Sequence, residues 1–193
     1  MLSSSKLLAV ILMLTTIERA KPMLRIATDD TSRDAELGML IPAASAAVET
    51  YCNRQFGRGE HTEKFEGSRS DYILLRNYPV ISVQSINGKT DLTDYDIDLE
   101  LGMVRKEDWS NRRGGTVTYT AGYILPENAT ANVPADLPAD IEFGCILMIQ
   151  HLMRQPGVTA ERVGDLAVSY AADDGKMPPA VRALISAHRN VNI

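Results

Sequence analysis

Three histidines, two cysteines and a run of alternating acids are the residues of this chain whose types could carry chemistry. A metal site needs such ligands at fixed spacings, and His61, His151 and His188 have none: the chain contains no H-E-x-x-H and no C-x-x-C. His61 reads as a loop residue, His151 as surface or packing late in a long helix, and His188 as part of the last helix. Cys52 and Cys145 lie in Ala- and Leu-rich stretches and read as reduced thiols acting as small apolar side chains. Asp94-x-Asp96-x-Asp98 opens like a calcium-binding loop. However, Leu99 stands where a glycine must turn that loop, and Arg105 stands where a glutamate must ligate. Asp94, Asp96, Asp98 and Glu100 therefore read as the acidic outer face of a strand. Glu142, Cys145 and His151 share or neighbour one helix on different faces, which assembles no hydrolase. The cluster Asp29, Asp30, Asp34 reads as helix-capping acid, and Arg112-Arg113 as solvated charge at a turn. No nucleophile elbow, Walker loop or dinucleotide fingerprint occurs. The expectation is a protein with no catalytic residue, no cofactor and no metal, and not an enzyme.

The elements around these residues follow from periodicity. Thr15 and Glu18 have the spacing of a capping box, which predicts a short helix over residues 15–26, shortened by Pro22. Thr31 or Ser32 is placed to cap a second helix. In it Leu37, Ile41, Ala44, Val48 and Tyr51 recur at helical spacing, Pro42 introduces a kink, and Asn53 supplies a stop. From residue 60 the period changes to two. Residues 80–86 form a strand ending in Asn87-Gly88, a hairpin signal, and Tyr95, Ile97, Leu99 and Leu101 alternate with the acids. A further strand covers residues 116–121. After a Pro- and Ala-rich loop, Asp136 is placed to cap a helix over residues 138–154 with Ile141, Cys145, Met148 and Leu152 on one face. Leu166, Val168 and Tyr170 alternate as in a strand, and a last helix starting at Pro178 turns Val181, Leu184, Ile185 and His188 inward. The fold class is α+β: a mainly helical core of about four helices with an inserted small antiparallel β-sheet. The divisions are 13–57 helical, 60–123 the β insertion, and 134–193 helix–strand–helix, in one domain.

The 193 residues carry a net charge of −5, which disfavours a general nucleic-acid binder. Residues 1–12 read as an N-terminal extension. Lys6 and the apolar residues 7–14 look like a short secretion signal. The run is too short to span a bilayer and lacks a small-x-small cleavage site, and Met13 offers a start that leads directly into the capping box.

Three stretches carry a family likeness. Leu24-Arg25-Ile26 is followed by the acidic loop and a helix closing on Tyr51-x-x-Arg54-x-Phe56. Pro79-Val80-Ile81-Ser82-Val83 is followed later by Tyr119-Thr120-Ala121-Gly122-Tyr123. Residues 134–141 lead through a helix to residues 161–170 and a Pro-started helix ending in His188-Arg189. In their order and spacing, over residues 14–189, the chain resembles the head–tail connector (adaptor) proteins of tailed bacteriophages. Pro22 and Pro42 depart from the family's unbroken helices. The resemblance implies a single connector domain over residues 13–193. It implies a virion protein of the neck, assembled in the host cytoplasm as a twelve-fold ring matching the portal protein above it. A stopper or tail protein would dock below, and the genome DNA would pass through without sequence-specific binding; no membrane is involved. On this reading the acidic face Asp94, Asp96, Asp98 and Glu100 lines the channel or meets a neighbouring subunit. The C-terminal segment meets the portal through Met177, Arg182, His188, Arg189 and Ile193. The competing readings are a secreted or periplasmic binding protein and a small phage hydrolase.

Overall fold

The computed structural model describes residues 13–65, 71–106, 114–154, 160–163, 166–169 and 177–190. Its first helix, α1 (Ile17–Met23), is capped by Thr16 and not by Thr15: the Thr16 side chain accepts from the Arg19 N–H. Thr15 is fully buried, and its hydroxyl donates to the Glu142 carboxylate at 3.0 Å, which removes it from capping. Pro22 sits in the last turn, and the chain leaves through a Schellman turn. The Ile26 N–H donates to the Lys21 carbonyl (3.0 Å) and the Arg25 N–H to that of Pro22 (3.2 Å), with Arg25 at φ +59°.

Helix α2 (Asp34–Cys52) buries Leu37, Ile41, Ala44 and Val48, as their spacing predicts, and Asn53 ends it at φ +52°. Its N-cap is Arg33 and lacks a side-chain cap; neither Thr31 nor Ser32 fills that role. The loop satisfies itself instead, with Asp30 accepting from the Ser32 N–H at 2.9 Å. Helices α3 (Ala139–Leu152) and α4 (Pro179–Ile185) complete the helical body, and a 3-10 turn, Ser186–His188, follows α4. The buried stripe of α3 is Ile141, Cys145 and Ile149. Met148 is only half-buried and Leu152 exposed, because α3 packs against α2 and α4 together and that pair selects the face. Asp136 is not the cap of α3; Pro138 holds that position, and Asp136 accepts from the Ile124 N–H and from Arg58.

The middle of the chain supplies β1 (Gly59–Phe65), β2 (Tyr72–Leu74), β3 (Val80–Ile86), β4 (Asp96–Asp98), β5 (Met103–Arg105) and β6 (Gly115–Ala121). They form two antiparallel sheets of three strands, ordered β1-β6-β3 and β2-β5-β4. The two sheets share a second core built on Leu75, Val80, Ile86, Val104, Val117, Tyr119 and Ala121. His61 is a strand residue paired with Tyr119 and not part of a loop. The Asn87-Gly88 turn forms, with both residues at positive φ and Ile86 and Lys89 exchanging hydrogen bonds at 3.0 Å. The hairpin goes no further. Asn87 is bonded to Thr116 through both its backbone N–H and its side chain, so β3 pairs with β6 and the chain crosses to the other sheet. The final pair of strands, β7 (Ala160–Val163) and β8 (Leu166–Ser169), is an antiparallel hairpin where the sequence indicates a single strand. The α+β class with four helices is as expected, with the β insertion divided into two sheets. Residues 1–12, Arg112, Arg113, Tyr170 and Ile193 lie outside the described residues.

Candidate assembly surfaces

The acidic run ends sooner than its alternation predicts. Only Asp96–Asp98 is strand; Asp98 accepts from the Leu101 N–H at 2.9 Å and turns the chain toward Gly102, at φ +60°. Leu99 and Leu101, expected to face inward, are exposed, Leu101 by 67%. The pairing register sets the rows of this sheet. Ile73, Val104 and Ile97 form the inner row; Tyr72, Arg105 and Asp96 form one outer row, and Leu74, Met103 and Asp98 the next. Asp94 precedes the strand and pairs with Lys106 at 3.4 Å, and Glu100 is exposed in the turn. The four acids therefore do not share one strand face. Asp98 shares a row with Leu74 and Met103, Asp96 one with Tyr72 and Arg105, and Glu100 lies with Leu99 and Leu101 in the following turn.

The C-terminal segment is held to the body at several points. Met177 packs against the helical core, and Arg182 is half-buried on α4. His188 places Nε2 2.7 Å from the Asp140 carboxylate, sets its ring edge-on to Phe56, and its carbonyl accepts from the Tyr78 hydroxyl. Arg189 is exposed, with its guanidinium over the Tyr51 ring. Asn190, which sequence reasoning missed, is buried. Its N–H donates to the Cys52 carbonyl (2.8 Å) and its side-chain amide to that of Arg76 (3.0 Å). Of the portal-contact residues expected from sequence, His188 and Arg189 lie at the junction of α2, the turn after α4 and the β2–β3 connection, while Met177 and Arg182 lie on the helical body. Arg54 is the centre of that junction. It is 4% exposed, stacks over Tyr78 and Phe56, and donates to the Tyr78 carbonyl.

Nothing among the described residues assembles a reaction centre. Among the described residues, no group of three or more His, Cys, Asp or Glu is placed to hold a metal. Glu142 is an anchor: its two oxygens each accept from Arg19 at 2.6 Å, and one also accepts from Thr15, which fastens the N-terminal segment to α3. A cleft of about 590 Å³ between the end of α2 and β1 is lined by charged and amide side chains. Next to it, the Tyr119 hydroxyl is buried between Glu63 and Asn77, and burial raises its pKa. Both thiols are buried and free; burial pushes Cys52 up to about 11 and Cys145 to about 12. Because the thiolate is the reacting form, both should react with a disulfide reagent at pH 8 more than about 100-fold slower in the native protein than in denaturant. One fast equivalent from the native protein would contradict this.

No helix among the described residues is long and apolar enough to cross a membrane. A family model described as head completion protein matches residues 13–191. Among solved structures, the fold is similar to a chain in the neck of an empty gene transfer agent (GTA) particle computed with C6 symmetry. That chain has 18% identity and a TM-score of 0.58, over 93% of this chain and 91% of the other. It is similar also to a chain in the neck of the native particle computed with C12 symmetry, at 18% identity and a TM-score of 0.54, over 94% and 96%. A chain of the native GTA virion gives 20% identity and a TM-score of 0.56, over 93% and 91%. At these identities the likeness is one of fold. No curated protein matches the chain.

Proposed function

Because the chain belongs to the head completion protein family and so has a structural, non-enzymatic part in the virion neck, we propose that it closes into a ring beneath the portal protein. The ring extends the DNA channel and gives a stopper or tail protein its docking surface. It is twelve-fold, matching the portal, and assembles in the host cytoplasm. The observation that carries this reading is the end of the β2-β5-β4 sheet, where Tyr72 and Leu74 on β2 and Leu99 and Leu101 in the β4–β5 turn are exposed near acids while Leu75, Val104 and Val117 bury a core. A monomer has no use for that surface, and a ring is built by repeating one such contact until it closes. Gene transfer agent necks with six- and twelve-fold symmetry hold chains of similar fold, which supports the ring. The acids Asp94, Asp96, Asp98 and Glu100 lie toward the lumen or the next subunit; acids at the lumen would repel DNA phosphates and keep the genome mobile. The C-terminal segment faces the portal through Met177, Arg182, His188, Arg189 and Ile193.

The test is the native mass of the chain alone and with an isolated portal ring. The expected result is a closed ring of about twelve copies on the portal. A chain that stays monomeric and leaves the portal unbound would overturn the proposal.

A further inference from the structure

We infer that the apolar outer face of the β2-β5-β4 sheet receives, from a second copy of this chain, the corner at the end of α1 that carries Met23 and Arg25. The inference rests on the ring reading above and names the two surfaces that meet. On one side, Leu74 and Met103 are cross-strand neighbours, and Leu101 lies in the adjoining β4–β5 turn, its N–H bonded to Asp98. Leu101 is 67% exposed and Leu74 44%, a large fraction for leucines with an ordered backbone. Asp96, opposite Arg105 in the outer row, and Glu100, in the following turn, make no ion pair among the described residues; Arg105 pairs with Asp71 instead.

On the other side, Met23 is 51% exposed, and Arg25 extends into solvent two residues later. Arg25 makes no side-chain hydrogen bond or ion pair among the described residues. Its backbone lies at φ +59°, at the Schellman position where glycine is the usual occupant. No hydrogen bond or ion pair among the described residues accounts for an arginine there, and the conformation favours glycine. A cation next to an exposed methionine is the complement of exposed leucines flanked by acids that have no ion pair among the described residues. The two surfaces lie on different parts of the fold, one on the helical body and one on the second sheet. A contact between them is therefore head-to-tail, the kind that closes rings.

Three variants of the full chain test this, with ring formation read by native mass on the portal and folding read by thermal melting. Arg25→Glu alone, and Asp96→Lys with Glu100→Lys alone, should each raise the concentration for half-assembly at least about tenfold, because each sets like charges face to face. An equimolar mixture of the two should assemble again. In the mixture the reversed charge at position 25 meets the reversed rim, and the unmodified pair meets across the next interface, which gives rings with alternating subunits. Arg25→Gly should melt about 2 °C higher and still assemble poorly, which a merely structural arginine would not do. If the wild type forms rings and Arg25→Glu or Arg25→Gly forms them equally well, or if the mixture fails to recover, this interface is wrong and the ring reading stands. A wild type that never forms rings, even on the portal, overturns both.

Discussion

Gly122→Ala is expected to lose about 3–5 kcal/mol of stability, the sum of a forbidden backbone conformation and a clash that nothing nearby can relieve. Gly122 lies at φ +101°, a region that residues with a side chain rarely adopt. A Cβ built there would sit 2.5 Å from the Gly57 carbonyl oxygen and 2.7 Å from that of Phe56. Both are backbone atoms, so no rotamer change makes room. The backbone is fixed on either side as well. The Gly122 N–H donates to the Pro79 carbonyl (3.0 Å), the Tyr123 N–H to that of Phe56 (2.7 Å), and the Arg58 N–H to that of Tyr123 (2.8 Å). This crossing seats the paired sheets on the helical body. A domain of ordinary stability has only about 5–15 kcal/mol in total, so the variant should be largely unfolded at moderate urea concentrations where the wild type is native. An unfolding midpoint equal to that of the wild type would show that the crossing is not this close.

The glycine is legible in the sequence as part of Tyr119-x-x-Gly122-Tyr123, but its reason is not, because the atoms it avoids belong to residues 56 and 57, more than sixty positions earlier. The same division runs through the fold. The buried face of α2 and the Asn53 stop follow from local spacing, and the structure keeps them. The Asn87-Gly88 turn is local too and forms as expected. Which strand pairs with β3 is not local, and Thr116 decides it by holding Asn87. The capping-box spacing points to Thr15, but Glu142 claims that hydroxyl from across the helical body and Thr16 caps α1 instead. The acidic alternation misleads for a related reason: Asp98 belongs to the strand and the turn at once, and the two roles use the same residue type. On the assembly surfaces the acids were visible as a run. The apolar residues near them were not, since Leu74 and Met103 become neighbours only through the β2–β5 pairing.

Arg54→Ala is the second large effect, with an expected loss of about 2–4 kcal/mol from the cavity and the lost stacking together. The guanidinium lies 3.3 Å from the Tyr78 ring centroid and 4.8 Å from that of Phe56, and it donates to the Tyr78 carbonyl. Burying a cation works against stability, so part of the gain from stacking is offset by desolvation. Two further substitutions separate these contributions. Arg54→Lys keeps the charge but loses the planar fork, and should retain less than half of the wild-type advantage over alanine. Arg54→Met restores volume without charge; if it equals the wild type, the arginine is there only to fill space. The residue also connects elements that the sequence keeps far apart. Phe56, under the guanidinium, contacts the His188 ring, and Tyr78 donates to the His188 carbonyl. Loosening Arg54 should therefore release the C-terminal segment before the helical core opens. Hydrogen exchange can read this at the Asn190 amide, which is bonded to the Cys52 carbonyl. In Arg54→Ala that amide should lose protection by a larger factor than the amides inside α2. Equal losses at both would mean that Arg54 stabilises the domain as a whole and has no special hold on the segment proposed to face the portal.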